Sequence, residues 1–488
     1  MGVLAVLAFV ATLQVTGPQF TWDARDYAQM GREWARGHGF STEVLGVFSI
    51  PEVLRHGNLA GRWPIVGRPH LPAMFSGMFF RRFGANDRTA VLWSGMFYVA
   101  TAALMYPAWL GLFGETIALI SALVFAGSRC GVGYARSGLT ESAAMFFLLL
   151  ATLVLTRWGS RRSGAAAAGF VLGVCSLVRP TAELWVVIAA AALAMSLWHN
   201  RRRALSQAAI LLVVFGVVVL AGARLTHWNG STEQRDTMMA YGVGDPSESI
   251  GHPIRFTLAH PGAMMRKFVH ELARPLIYAF RFGDQPLFSA LSIFMLLVDW
   301  REPSRRLARH LLMGIVVATV LALSLLMQGD AVVGPLRYYD VFLPLLLPWG
   351  VLGLVTLVRP ARVPPIAFAA LLALYLAGNG LQAVRDTSPP RPPLAMYADL
   401  RSRVPAQDVI AVPGGSDPPA VAWYVDRRVL FIIHSPIQDL AAANVAGLTV
   451  NWLFQSIADP APDGFVREQT WSNGMALWRR AAAISLKN

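Results

Sequence analysis

The sequence predicts an all-α polytopic membrane protein of about eleven transmembrane helices, with a small α/β domain outside the membrane. Three observations predict it. The 488 residues are 55% hydrophobic and only 14% charged, whereas soluble domains carry about a quarter charged residues. The apolar residues gather into runs long enough to cross or nearly cross a bilayer. The basic residues, which set a formal net charge of +14, fall in short gaps between those runs: Arg157, Arg161 and Arg162; Arg201, Arg202 and Arg203; Arg301, Arg305, Arg306 and Arg309; Arg359 and Arg362. That placement is a positive-inside bias and argues against a nucleic-acid partner.

Taken in order, the spans are 2–17, 89–112, 114–127, 141–156, 164–178, 182–198, 205–225, 286–300, 310–327, 340–358 and 363–384. The first run has no basic flank before it and no small-residue cleavage site, so it is read as a span rather than a signal peptide. Segment 114–127 is short for a crossing and tightly joined to the span before it. With the N-terminus in the cytoplasm, every Arg cluster lies on the cytoplasmic side. Loops 18–88 and 226–285 and the tail then lie outside, at the extracytoplasmic face of the plasma (inner) membrane. Cys130 and Cys175 fall in or near spans and are expected as free thiols.

The outer loops carry helical patterns. Tyr27, Met30, Trp34 and Ala35 recur at helical spacing beside Arg25, Gln29, Arg32, Glu33 and Arg36, which predicts an amphipathic helix lying in the membrane interface. Pro261 opens a second such segment, with Met264, Met265, Phe268, Val269, Leu272 and Leu276 on one side. The composition then shifts at the Pro-rich stretch 388–393, dividing the chain into a membrane domain (1–387) and an α/β domain (388–488). In the latter we expect a helix over 395–403, a strand over 408–412, a strand over 429–433 and a helix near 436–446. A hairpin follows, turning at Ser472-Asn473-Gly474.

Charged residues where a chain leaves hydrocarbon are candidates for function. Asp23 and Asp26 follow the first span. Asp23 suits a helix N-cap, with Asp26 completing a box-like start, and the same carboxylate can take a proton from an attacking hydroxyl. In Arg68-Pro69-His70-Leu71-Pro72 two prolines stiffen the approach to the next span. They hold Arg68 and His70 at the interface, where an Arg can grip a phosphate with two parallel hydrogen bonds or simply reach lipid headgroups. Arg179 and Arg337, the latter followed by Tyr338, lie at outer span ends against the positive-inside bias. With Arg68 they read as a clamp for an anionic lipid phosphate. Glu141 opens a span and could pair with Arg136 or a clamp Arg, or serve the helix dipole.

These residues carry a resemblance. Asp23, Tyr27, Gly37, Gly39 and Phe40, then Arg68-Pro69 with Leu71, Thr140-Glu141, Arg179-Pro180 and Arg337-Tyr338 resemble, in order and common side, the motifs of the integral-membrane glycosyltransferases of the C fold. Within them the chain is most similar to the bacterial branch related to protein O-mannosyltransferases and lipid A aminoarabinose transferases. The resemblance implies a C-type glycosyltransferase fold and inverting transfer from a polyprenyl-phosphate sugar. It implies Asp23 as the acidic residue that orients or deprotonates the acceptor and Arg68 as a donor-phosphate contact. Many relatives carry adjacent carboxylates, whereas Ala24 follows Asp23 here; no obligate metal or other cofactor is expected.

The expected partners are therefore a polyprenyl-phosphate sugar donor, a lipid, glycan or protein acceptor, and membrane lipids. A polysaccharide ligase or polymerase on a diphosphate-linked donor would keep its main catalytic loop late in the chain. A transporter of lipid-linked sugars would show repeats and mid-membrane polar breaks. A scaffold would tolerate loss of Asp23.

Overall fold

The computed structural model describes residues 2–18, 20–46, 49–50, 53–54, 59, 61–65, 68–226, 239–240, 242–244, 246–249, 252–278, 286–299, 302–326, 336–359, 364–385, 392–433, 435–460 and 462–481. The chain divides into two compact units, Met1–Gln19 with Val91–Ser388, and Phe20–Ala90 with Pro389–Asn488.

The first unit is helical. Each predicted apolar segment contains a helix: Gly2–Thr16, Leu92–Phe113, Glu115–Ala126, Glu141–Trp158, Arg162–Val178, Ala182–Ser196, Arg201–Thr226, Pro286–Val298, Arg306–Leu326, Leu343–Val358 and Pro365–Arg385. By length and apolar composition, four described helices can cross a membrane, or five if one bent pair counts as a single span. The others are shorter apolar helices. The first helix of the bent pair is the short segment singled out in the sequence. Glu115–Ala126 stops, Ser128 caps a new helix by accepting from the Gly131 N–H, and Arg129–Ala135 departs at 52°. Small residues set the closest helix contacts. A Cβ on Gly169 would sit 2.4 Å from the Leu211 carbonyl oxygen, so only glycine lets Arg162–Val178 meet Arg201–Thr226 this closely.

In the second outer loop the described helices are Pro253–Ala259, Pro261–Glu271 and Ala273–Tyr278. Met264 is buried, while Met265, Val269 and Leu276 are exposed, as are Ile254 and Leu258 on the preceding helix. Residues 227–238 and 279–285 of this loop, and 386–391 of the Pro-rich stretch, lie outside the described residues.

The second unit corrects the reading that the first outer loop and the C-terminal segment belong to different domains. They share one six-stranded sheet. Strand β1 (Ser41–Thr42) pairs antiparallel with β3 (Trp63–Pro64), while β2 (Val44–Gly46) leaves the loop to become an edge strand. The C-terminal strands are β4 (Val409–Pro413), β5 (Arg428–Ile432), β6 (Trp452–Ser456), β7 (Phe465–Thr470) and β8 (Met475–Arg480). The order is β2-β5-β4-β6-β8-β7, with β2, β5, β4 and β6 parallel and the β7–β8 hairpin antiparallel at the far edge. β2 meets β5 in the register Val44 to Val429 and Gly46 to Phe431.

One face of the sheet packs on Met396, Tyr397 and Leu400 of the helix Leu394–Arg403 and on Val421 and Val425. The other packs on Ile50, Val53 and Leu59 of the first outer loop and Ala443 of the helix Pro436–Val445. Strand β4 is buried along nearly its whole length, as its Val-Ile-Ala-Val run requires of a central parallel strand. The expected C-terminal elements are all present, while β6 and the short turns over 418–425 were not anticipated.

The first-loop helix (Trp22–Ala35) departs from expectation in two ways. It begins two residues earlier than a cap at Asp23 requires: Thr21 holds the N-cap position without a side-chain cap bond, and Asp23 lies inside the first turn. Its polar side is also buried. Asp26, Gln29, Arg32 and Glu33 are as enclosed as Tyr27, Ala28 and Met30. A helix enclosed on both faces is a core element rather than one lying on a membrane surface.

Candidate active site

The candidate residues fall into two clusters, one in each unit. The first is built on the first-loop helix. Asp23 and Asp26 are three residues apart and so lie near one another on its surface. The chain turns after Ala35 through Gly37 and Gly39, whose φ angles of 84° and 68° favour glycine. It then runs through β1, pairs with β3, and returns to the helix at Arg68. Tyr27, Met30, Ile65 and Ala73, with Phe40 beside them, form a small apolar core under this return. Pro69 and Pro72 stiffen it into the helix Leu71–Phe83. That helix packs closely on the first-loop helix through Gly31, where a Cβ would lie 2.6 Å from that of Ser76.

This path delivers Arg68 to both carboxylates. Its Nε donates to Asp26 Oδ2 at 2.9 Å and its Nη2 to Asp23 Oδ1 at 3.0 Å. The guanidinium carbon also lies 5.8 Å from the Tyr27 ring centroid, within cation–π range. Gln29 completes the arrangement, donating through Nε2 to Asp26 Oδ1 at 3.1 Å and to Thr42 Oγ1 at 2.7 Å, and accepting the Glu43 N–H at 2.8 Å. Burial pushes the Asp26 carboxyl above the ordinary aspartate range, against the opposing pull of Arg68 and Gln29; the charge on Asp23 pushes the same way as burial. The two carboxylates are almost equally enclosed, at 13% and 11% side-chain exposure, and both are held by Arg68; Asp26 also accepts from Gln29. His70 is buried with its ring 5.0 Å from Phe40, edge to face.

The second cluster lies at helix ends of the other unit. Pro180 disfavours helix for the residue before it, and Arg179 is extended just past the helix Arg162–Val178. Its Nη1 donates to Glu141 Oε1 at 2.8 Å and to Thr140 Oγ1 at 3.0 Å. Arg337 Nε lies 3.8 Å from the same Glu141 oxygen. The Tyr338 ring sits 4.9 Å from the Arg179 guanidinium carbon and 5.5 Å from that of Arg337. Two residues on, Asp340 accepts from the Tyr134 hydroxyl at 2.7 Å, which ties the helix Leu336–Asp340 to Arg129–Ala135. Glu141 thus pairs with Arg179 and not with Arg136, whose Nη1 reaches the Gly17 carbonyl at 3.4 Å. Among the described residues, Glu141 Oε2, Arg179 Nε and Thr181 Oγ1 are buried without a hydrogen-bond partner. Buried orphan polar atoms concentrated at one place mark a position able to receive a polar ligand.

Arg179 and Arg337 come together around Glu141 and Tyr338, and Arg68 comes to Asp23 and Asp26, each grouping within its own unit. The sequence reading gave no site role to Gln29, Thr42 or Thr140. Gln29 left a signal as a polar residue one turn after Asp26, and Thr140 as part of the Thr-Glu pair that opens a span; Thr42 left none. Among the described residues, no three His, Cys, Asp or Glu side chains converge to hold a metal ion. Cys130 and Cys175 are free thiols.

Residues 67–226 match the dolichyl-phosphate-mannose-protein mannosyltransferase family. No curated protein matches the chain. Among solved structures, the chain is similar to ArnT from Cupriavidus metallidurans bound to undecaprenyl phosphate, at a TM-score of 0.63 and 12% identity, covering 99% of this chain and 97% of that one. It is also similar to the oligosaccharyltransferase AglB from Archaeoglobus fulgidus in complex with an inhibitory peptide and a dolichol-phosphate. There the TM-score is 0.54 at 12% identity, over 93% of this chain and 69% of that one. The Archaeoglobus fulgidus oligosaccharyltransferase tethered to an acceptor peptide gives 0.57 at 13% identity, over 93% and 68%. This chain has the fold of the integral-membrane C-type glycosyltransferases and resembles the mannosyltransferase and ArnT branch of them.

Proposed function

We propose, from the C-type glycosyltransferase fold and the cluster of Asp23, Asp26 and Arg68, that this chain transfers a sugar from a polyprenyl-phosphate donor to a hydroxyl acceptor at the extracytoplasmic membrane face. The observation that carries the reading is Arg68 bridging Asp23 and Asp26 through separate nitrogens. A carboxylate held in place by a fixed guanidinium is an oriented proton acceptor.

In the proposed reaction the acceptor hydroxyl oxygen attacks the anomeric carbon from the side opposite the phosphate. Its proton passes to Asp23, and the C–O bond to phosphate breaks with its electron pair leaving on the phosphate oxygen. One displacement inverts the anomeric centre. A lipid phosphate is a good leaving group, so fixed positive charge for the departing oxygen matters more than a strong general acid. Arg68 supplies such charge in the unit that holds Asp23; in the other unit Arg179 and Arg337, with Glu141 between them and Tyr338 beside them, are a separate candidate for binding a lipid phosphate. Asp26 orients Arg68. Tyr27 supports the Arg68 guanidinium from its ring face, and His70 is packed under the same loop.

The test is release of polyprenyl phosphate from short-chain polyprenyl-phosphate sugars, with a membrane extract as acceptor, by the unaltered protein and by Asp23→Asn. Release by the former, with a fall of about 100- to 10,000-fold in a folded variant that still binds the carrier phosphate, is the expected result. No release from any monophosphate donor would overturn the reading. Release from a diphosphate-linked donor instead would identify a polysaccharide ligase or polymerase.

A further inference from the structure

We propose that residues 417–426 of the C-terminal segment are a brace that sets the rotation of the first-loop helix, with Arg32 and Asp426 acting as positioning residues for Asp23. The consequence for Asp23 rests on the transferase reading; the brace itself does not.

The brace begins and ends on the same device. Among the described residues, Asp417 and Asp426 alone are non-glycine residues with positive φ, at 54° and 60°. Side chains other than glycine persist in that region where the surroundings over-determine them, and such positions cluster where geometry matters to function. Both carboxylates receive arginines from the first-loop helix. Asp417 pairs with Arg25. Asp426 takes two bonds from Arg36, at 2.8 and 2.9 Å, and lies 3.1 Å from Arg32. Between the two aspartates the chain makes a short helix, Pro418–Ala420, and a single π turn, Val421–Val425. Arg32, 8% exposed, enters this turn and donates to the Ala422 and Trp423 carbonyls at 2.8 and 2.6 Å and to Glu43 at 2.5 Å. Its guanidinium carbon lies 5.0 Å from the centroid of the Trp423 ring. That ring stacks on Phe80 and meets Phe20 edge-on, while its Nε1 and the Tyr424 hydroxyl both donate to Asp87. The brace is therefore anchored on the partner helix Leu71–Phe83 as well.

The spacing converts these contacts into an orientation. At about 100° per residue, Arg25, Arg32 and Arg36 fall within roughly 20° of one stripe, and Asp23 lies about 160° away. They span about 16 Å of helix axis at 1.5 Å per residue. A helix gripped at both ends of one stripe can neither turn nor slide without breaking charge-assisted bonds, so the direction in which Asp23 points follows from the grip. The partners that residues 417–426 supply to this grip come from sequence almost 400 residues away, and no motif in the first loop announces them.

The experiment uses the full chain with both aspartates changed, Asp417→Asn and Asp426→Asn. Asparagine tolerates the same backbone and removes the charge. Amide hydrogen exchange over 22–35 is expected to quicken while exchange over 141–158 stays unchanged. Release of polyprenyl phosphate is expected to fall by about tenfold or more, as a misplacement of about 1 Å can cost 100-fold. In an Asp23→Asn background the same pair of changes is expected to leave the residual rate where it is, because the brace acts through Asp23. Unchanged exchange over 22–35, or an equal further loss in the Asp23→Asn background, would overturn the proposal. Quickened exchange with no release by the unaltered protein from any monophosphate donor would uphold the brace and remove the transferase reading. If the doubly altered chain does not fold, Asp426→Asn alone carries the same comparison.

Discussion

At the scale of single residues, the two first-loop carboxylates are not equivalent. Asp26 is enclosed, hydrogen-bonded to Gln29 and Arg68, and pushed toward its neutral form by burial and by the charge on Asp23. Asp23 offers one oxygen to Arg68 at 3.0 Å and is nearly as enclosed as Asp26. Both Asp26 oxygens accept from N–H donors, so an asparagine there sets its NH2 against Gln29 or Arg68 and loosens Arg68; Asp26→Asn is expected to reduce polyprenyl phosphate release by about tenfold, short of the loss at Asp23. Steady-state rates of the two variants measured side by side check this, and equal losses would assign the base role to the pair. Part of this was legible in the sequence. An acidic residue just beyond a span and an Arg between two prolines are visible in one dimension. That Arg68 bridges both carboxylates was not, because 45 residues separate Arg68 from Asp23 and only folding of the loop closes the distance.

At the scale of elements, the first-loop helix and the helix Leu71–Phe83 meet through a pair of glycines. A Cβ on Gly31 would meet Ser76 Cβ at 2.6 Å and the Ala73 carbonyl at 3.0 Å, and one on Gly77 would meet the Trp34 ring at 2.5 Å. None of the Gly31 contacts is the far end of a flexible side chain, so the helices must part to admit a methyl group. Gly31→Ala is expected to destabilise this unit by about 1–3 kcal/mol, read as a lowered thermal midpoint, in spite of alanine's better helix propensity. Helical periodicity correctly announced the helix, but its amphipathic pattern invited placement on a membrane surface. Periodicity distinguishes two faces without saying what covers the polar one; here Arg32 and Glu33 are covered by ion pairs with Glu43, Asp426 and Arg36, and the His38 ring lies 2.8 Å from Glu33.

At the scale of the whole molecule, the sheet of the second unit makes the first outer loop and the C-terminal segment interdependent, and this has a pH signature. Glu43 sits beside Arg32 in that unit, and burial pushes its carboxyl up to about 7, although Arg32 pulls the other way; Glu33 and Asp426 add to the rise. A carboxyl whose folded value is raised binds a proton in the folded chain where the unfolded chain has already released it. Its contribution is therefore greatest below the ordinary value of 4.5 and is lost as pH climbs from there to about 7. Asp426 acts oppositely. Burial opposes its ionisation, but Arg36, Arg32 and Arg401 hold its carboxyl down to about 2, so its contribution is present above 3.8 and lost as pH falls toward 2. Thermal unfolding followed between pH 5 and pH 8 is expected to show a midpoint that declines with rising pH, and Glu43→Gln is expected to flatten that decline. A slope unchanged by Glu43→Gln would place the titration elsewhere.

The sequence by itself determined the membrane class, the positions of the apolar helices, most C-terminal strands and the chemical types at the candidate site. Hydropathy, helical period and turn residues act over neighbouring positions, and a short window contains them whole. Tertiary structure decided the rest. It brought β2 to β5 across almost 400 residues, joined the short segment to a second, bent helix capped at Ser128, turned an apparent surface helix into a buried one, and chose Arg179 rather than Arg136 for Glu141. Each of those outcomes is a competition among partners distant in sequence, and burial, charge pairing and hydrogen-bond satisfaction settle it only once the chain has closed on itself.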